Sequence, residues 1–331
     1  MNLRRLSRAV AAGSWPILLE GPTSTGKTTL VEYLAARSGH RCLRINNHEH
    51  TDIQEYTGCY ATDSNGKLCF REGILVQALR QGFWVILDEL NLAPCEVLEA
   101  LNRLLDDNRE LYLSETNEVV KPHPHFQLFA TQNPSGIYGG RKPLSKAFRN
   151  RFVEIHVPDI PEQEMSSILE MRCGCAPSHS KMLINIMSVM RKRRSKSGVF
   201  RGKEGLISFR DVLRWAERRA SSKIELAADG YMLLAEKLRD EKEKIIVKAI
   251  IEEQFKVDIN NDRLYFGDNC TIRTRLETIS KTNEVQPSGL SLQAIAPTKS
   301  LLRLLTLVER CVRQKEPVLL VGGKGKHLNL I

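Results

Sequence analysis

The residues whose types and spacing could do chemistry lie in four short stretches and one isolated arginine. The first stretch, Gly21-Pro22-Thr23-Ser24-Thr25-Gly26-Lys27-Thr28, sets two glycines around four residues and follows them with a lysine and a hydroxyl. Glycines let successive backbone N–H groups turn toward an anion, and a helix N-terminus behind them adds a favourable dipole. Lys27 would then reach the β- and γ-phosphates of a nucleotide, and the Thr28 hydroxyl would ligate Mg²⁺. The flanks support this reading, with an apolar strand before the loop and a helical pattern after it; a chance glycine-rich turn would need neither.

The second stretch, Trp84-Val85-Ile86-Leu87-Asp88-Glu89, is an apolar strand that ends in two carboxylates. Asp88 suits a metal-side acid that holds Mg²⁺ through its shell, and Glu89 suits polarising the attacking water. Many loops begin with an acid, so the pair gains meaning from the phosphate loop about 60 residues upstream. Phe129-Ala130-Thr131-Gln132-Asn133-Pro134 ends the next strand with an amide, Asn133, able to reach the same water or the γ-phosphate. A turn residue before proline is the plain alternative, and the position at a strand's carboxyl end favours the site. Ser145 to Phe152 sets Arg149 and Arg151 beside a strand start, where guanidinium groups can stabilise charge on a γ-phosphate, often from a neighbouring subunit. Arg210, in Ser208-Phe209-Arg210-Asp211, stands where a lid could close over nucleotide.

A fold must bring these stretches together. Apolar runs ILLE (17–20), CLRIN (42–46), FWVILDE (83–89), FQLFATQ (126–132) and FVEIHV (152–157) alternate with helical patterns, which argues an α/β parallel sheet wound with helices. Leu30, Val31 and Leu34 share one helix face after the first run; Val97, Leu98, Leu101, Leu104 and Leu105 share another after the third, with Pro94 in its first turn. Two hairpins interrupt the scheme, turning at Asp63-Ser64-Asn65-Gly66 and at Glu115-Thr116-Asn117. From 161 to 256 helical periodicity dominates, and 257–297 reads as a polar, strand-containing linker. KSLLRLLTLVERCVRQKEPVLLVGG then repeats the pattern of LRRLSRAVAAGSWPILLEGP, as if a second copy began. The expected division is 1–158 nucleotide-binding, 159–256 helical, 257–297 linker and 298–331 the start of a following module.

Composition narrows the class. The chain has 331 residues, 42% hydrophobic and 27% charged, and no apolar run approaches the roughly 20 residues that a membrane span needs. Its beginning does not read as a secretory signal. Eight cysteines without C-x-x-C spacing fit reduced, intracellular thiols. A formal charge of +10 permits an anionic partner such as RNA, and equally serves solubility. The densest cluster, Arg191 to Lys196, reads as a nuclear import signal, a phosphate-contacting patch or a solvated helix end. His48-Glu49-His50 and His123-Pro124-His125 lack partners at zinc-site spacing, and Cys173-Gly174-Cys175 reads as a turn.

With these residues in hand, the chain resembles the AAA+ ATPases, closer to their dynein-like, hairpin-bearing branch than to small nucleotide kinases. RINNHEHTDIQEYTGCY, ILDELNLAPCEVLEALNRLLDDNREL, FATQNPSGIYGGRKPLSKAFRNRF and SFRDVLRWAE are similar to the midasin family of that branch, over about 16–220. The resemblance implies an AAA+ P-loop fold with a helical lid, and MgATP as substrate. It also implies that Asn133 is the first sensor, that Arg151, or else Arg149, is the finger serving an adjacent module, and that Arg210 is the second sensor. The family strings six modules into a ring and strips assembly factors from precursors of the large ribosomal subunit in the nucleolus and nucleoplasm. Its carboxyl-terminal adhesion domain has no counterpart here, so the chain is expected to be an internal piece. Val321 to His327 departs from the loop pattern, and Lys324 and Lys326 are not assigned to a nucleotide. A non-catalytic nucleotide-holding or RNA-contacting module is the main alternative; a small-molecule kinase and a DNA helicase fit less well.

Overall fold

A computed structural model describes residues 2–62, 66–134, 143–197, 200, 207–266 and 298–320. The chain forms two compact units, Met1–Pro161 and Glu162–Ile331.

In the first unit, strands β1 (Ile17–Glu20), β2 (Cys42–Asn46), β5 (Trp84–Asp88), β8 (Gln127–Gln132) and β9 (Val153–His156) form one sheet, in the order β2-β5-β8-β1-β9. Every pairing in it is parallel. The helices are α1 (Asn2–Ala11), α2 (Lys27–Arg37), α3 (Ile53–Thr57), α4 (Ile74–Gln81), α5 (Cys95–Leu105) and the short α6 (Lys146–Arg149). Alternation along the strands divides the core. Ile17, Leu19, Trp84, Ile86 and Phe129 pack with Leu6, Val31 and Ala35 of α1 and α2, with Leu30 and Leu34 partly buried against them. Leu18, Val85, Leu87, Leu128 and Ala130 pack on the other side with Leu75, Leu79, Val97, Leu101, Leu104 and Leu105 of α4 and α5. Strands covered on both faces read as continuous apolar runs, and all residues of β5 and β8 are buried accordingly.

The two hairpins are present as β3 (Gly58–Thr62) with β4 (Leu68–Glu72), and β6 (Leu111–Leu113) with β7 (Glu118–Val120). Asn117 adopts φ 52° in the second turn, a conformation asparagine tolerates. Of the first turn, 63–65 lie outside the described residues. Pro94 is displaced by one position from the expectation: it is the N-cap of α5 at φ −59°, and Cys95 opens the helix. Its missing N–H costs nothing at a helix start.

The second unit is helical, as the periodicity predicts: α7 (Glu162–Cys173), α8 (Pro177–Ser197), α9 (Phe209–Glu217), α10 (Lys223–Leu234), α11 (Glu241–Phe255), α12 (Asn261–Phe266) and α13 (Lys299–Arg313). Capping starts these helices: Ser208 and Asp211 form a capping box, Ser222 accepts from the Glu225 N–H, and Asp240 accepts from the Lys242 N–H. Arg191 to Ser195 continue α8, and Gly174, at φ 66°, makes the turn between the two cysteines after α7. Trp215 is fully buried and donates its indole N–H to the Leu226 carbonyl at 2.8 Å.

Two expectations require correction. Residues 261–266, read as part of a strand-containing linker, form α12 because the Asn260 side chain accepts from the N–H groups of Asp262 (2.9 Å) and Arg263 (3.1 Å) and nucleates a turn. The rest of that segment, 267–297, lies outside the described residues. The expected second-copy helix exists as α13, capped by Thr298, but Pro317 to Leu320 are not in a strand. An apolar run becomes a strand only beside a sheet edge, and Leu319 is 87% exposed. Val321 to Ile331, including Lys324 and Lys326, lie outside the described residues. α13 is held within the helical unit by charge: Arg310 donates to Asp229 (2.8 and 2.7 Å) and Glu225 (2.7 Å), and Arg218 pairs with Glu316 (2.7 Å). No helix among the described residues is long and apolar enough to cross a membrane.

Candidate nucleotide-binding site

The parallel sheet carries β1, β5 and β8 side by side, so their carboxyl ends open onto one edge. The phosphate loop leaves β1 there. Its turn uses the left-handed region at Ser24 (φ 63°) and at Gly26 (φ 79°), which caps α2. Gly21 is required for a different reason. A Cβ at that position would lie 2.1 Å from the Val157 carbonyl oxygen, so only glycine lets the loop pass the end of β9. Lys27 opens α2, is 8% exposed, and donates to the carbonyls of Gly21 (2.8 Å) and Pro22 (2.7 Å) and to Asn133 Oδ1 (2.8 Å). Thr25 closes the loop with a 3.0 Å bond to the Pro22 carbonyl.

The two acids stand against this loop. The Thr28 hydroxyl lies 3.3 and 3.4 Å from the two carboxylate oxygens of Asp88. Hard oxygen donors so placed match the preference of Mg²⁺. Glu89 follows in the left-handed region (φ 52°, ψ 46°), turning its side chain away from the strand direction. Asn133 Nδ2 donates to Glu89 Oε1 at 3.1 Å while its Oδ1 accepts from Lys27, so this amide joins the loop lysine to the second acid. Lys27, Thr28, Asp88, Glu89 and Asn133 are therefore brought together.

The structure adds residues that motif reading did not pick out. Arg44 on β2 pairs with Asp88 Oδ2, and Thr131 donates to Asp88 Oδ1. Asn47 donates its side-chain N–H to the Asp88 carbonyl at 3.0 Å, and the buried Tyr56 hydroxyl donates to Asn47 Oδ1. Burial pushes the Tyr56 phenol above its ordinary range, against the opposing pull of Asn47, so it remains a donor. Asn91 Nδ2 supports the Asn133 carbonyl at 3.1 Å. The available signal was position: Thr131 is in β8 two residues before Asn133, and Arg44 lies within, and Asn47 directly after, β2, the strand paired with β5.

Arg149 and Arg151 bond to other acids of the first unit. Arg149 donates to both carboxylate oxygens of Glu154 (2.8 and 2.7 Å) and to Glu20 at 3.1 Å. Those bonds hold its guanidinium above, and the Glu154 carboxyl below, their ordinary pKa values. Arg151 pairs with Asp106 and donates to the Ala147 carbonyl at 2.9 Å. Arg210 is the second residue of α9 in the helical unit and is exposed.

Comparison with known proteins agrees with this geometry. The family description "AAA domain (dynein-related subfamily)" matches residues 16–152, and "Midasin AAA lid domain" matches 164–258. Midasin of Dictyostelium discoideum is 56% identical over 326 residues, covering 98% of this chain and 6% of that protein. Midasin of Giardia intestinalis is 42% identical over 334 residues, covering 97% of this chain and 7% of that protein. The denitrification regulatory protein NirQ of Pseudomonas aeruginosa is 32% identical over 177 residues, covering 54% of this chain and 67% of that protein. This chain thus spans 6% and 7% of the lengths of the two midasins. An α/β sheet with a phosphate loop and paired acids, followed by a lid of midasin type, places the chain in the dynein-related AAA+ ATPase family, among the midasins.

Proposed function

We propose that this chain is one ATP-binding and ATP-hydrolysing module of a ring-forming remodelling machine. The observation that carries the reading is the unbroken chain Lys27–Asn133–Glu89, set beside the Thr28–Asp88 pair at the carboxyl ends of β1, β5 and β8. Hydrolysis of a γ-phosphate needs charge neutralised and a water held in line. The Gly21–Thr28 backbone and Lys27 would bind the phosphates, Thr28 and Asp88 would hold Mg²⁺, and Glu89, oriented by Asn133, would take the proton of the attacking water. Mg²⁺ held there would supply positive charge to offset that of the phosphates.

Arg151, or else Arg149, is the proposed finger toward an adjacent module's nucleotide on the strength of the resemblance; both bond to acids of their own unit here. Arg210 is the proposed second sensor. The midasin resemblance supports a larger role: coupling ATP turnover to removal of assembly factors from precursors of the large ribosomal subunit in the nucleus, with neighbouring AAA+ modules and the pre-ribosomal particle as partners; the formal charge of +10 permits RNA contact.

The test compares Glu89→Gln with the unaltered chain. Phosphate release is expected to fall by about two orders of magnitude or more, with labelled ATP still retained. Equal turnover in the two proteins would remove Glu89 from the chemistry and favour a nucleotide-holding module.

A further inference from the structure

The phosphate loop and the paired acids account for the reacting groups, but not for how Asp88 and Glu89 keep their places. The two are consecutive, yet they face different tasks. Asp88 ends a fully buried strand, and Glu89 turns at once into the left-handed region. A non-glycine residue there is strained and persists only where its surroundings hold it.

One side chain touches both. The Thr131 hydroxyl, 1% exposed on β8, donates to Asp88 Oδ1 and accepts the backbone N–H of Glu89 at 3.1 Å. The direction of the bonds follows from chemistry: an N–H can only donate, so the hydroxyl proton goes to the carboxylate. Thr131 shares the strand face of Phe129 on β8, and Asn133 follows the last residue of that strand, so one strand end brings Thr131 to the acids and Asn133 to Lys27.

We infer that Thr131 is a positioning residue for the hydrolysis site, whose hydroxyl fixes the Asp88 carboxylate toward the metal position and the Glu89 backbone in the turn that aims its side chain. The inference rests on the proposed ATPase reading. Replacing the hydroxyl with a methyl group of equal size removes this acceptor from the Glu89 N–H and one donor from the Asp88 carboxylate. The turn then relaxes, while the phosphate loop, bonded through other atoms, keeps its shape.

The test uses the 331-residue chain with Thr131→Val and Thr131→Ser. Two quantities are read: the Mg²⁺ concentration giving half-maximal retention of a fluorescent ATP analogue, and phosphate release with KM and kcat separated. Thr131→Val is expected to need at least about threefold more Mg²⁺ and to lose at least about tenfold in kcat, with KM nearly constant; Thr131→Ser restores both. A Thr131→Val protein with unaltered Mg²⁺ dependence overturns the inference. So does a Thr131→Ser protein as impaired as Thr131→Val, which would assign the effect to packing. Melting curves identify a variant that fails to fold, in which case Thr131→Ser against Thr131→Ala, judged by the same Mg²⁺ titration, decides. The Mg²⁺ titration needs no turnover, so a chain that retains nucleotide without hydrolysing it would count against the ATPase reading while still testing Thr131.

Discussion

Asn133→Asp puts the core of the site to a quantitative test. The substitution keeps shape and volume but replaces the amide that donates to Glu89 Oε1 at 3.1 Å with a carboxylate oxygen. Two like charges at that separation repel by about 5 kcal/mol at an effective dielectric of about 20. Glu89 is half-buried, so screening by solvent reduces this to about 2–3 kcal/mol. At ~1.4 kcal/mol per tenfold change in rate, the expected loss in turnover is roughly 30- to 150-fold. Asn133→Ala removes both side-chain bonds without adding charge, and Lys27 keeps the Gly21 and Pro22 carbonyls. It is expected to lose only about tenfold, with nucleotide retention within a few-fold of the unaltered chain. The diagnostic is the order of the two variants, read by phosphate release at saturating MgATP with melting curves as control. If Asn133→Asp turned over as fast as Asn133→Ala, Asn133 would not stand between Lys27 and Glu89, and the geometry of the site would be wrong.

Two further outcomes concern the helical unit. Gly230→Ala would set a Cβ 2.0 Å from Trp215 Cζ2, and its overpacking cost of about 1–3 kcal/mol exceeds the ~1 kcal/mol gained in helix propensity. The melting temperature should fall by several degrees, by an amount that shrinks in a Trp215→Phe background; a rise would refute the close approach. Glu225 is held down to about 2 by hydrogen bonds from the Ser221 hydroxyl and N–H and then by Arg310. Because the folded value lies below the ordinary 4.5, its stabilisation is present above pH 4.5 and is lost as pH falls toward 2. The difference in melting temperature between the unaltered chain and Glu225→Gln should follow that window, and a difference independent of pH would refute the pairing.

Much of the first unit is legible in the linear chain. Runs such as WVILD and ILLE coincide with strands because a central parallel strand, covered on both faces, is apolar nearly throughout. Hairpin positions follow from turn chemistry at Asn117. Misreadings occur where a local cap or a missing neighbour decides. Asn260 turns a polar segment into α12, and PVLL remains unpaired because a strand is a property of two segments. The function of α13 was also hidden. Its apolar stripe advertises a helix, but Arg310 gives no hint that its partners are Asp229 and Glu225, some 80 residues earlier.

The order of residues by itself determined the chemistry of the phosphate loop, the pair of acids and the alternation of strands with helices, because glycine spacing, carboxylate type and apolar period act over a few neighbouring residues. Only the tertiary structure decided that Arg44 and Thr131 hold Asp88, that Asn133 joins Lys27 to Glu89, and that Arg149 and Arg151 turn to acids of their own unit. Those facts depend on strand order: β5 and β8 are neighbours in the sheet but distant in the chain, and distances of about 3 Å between such residues exist only once the strands pair.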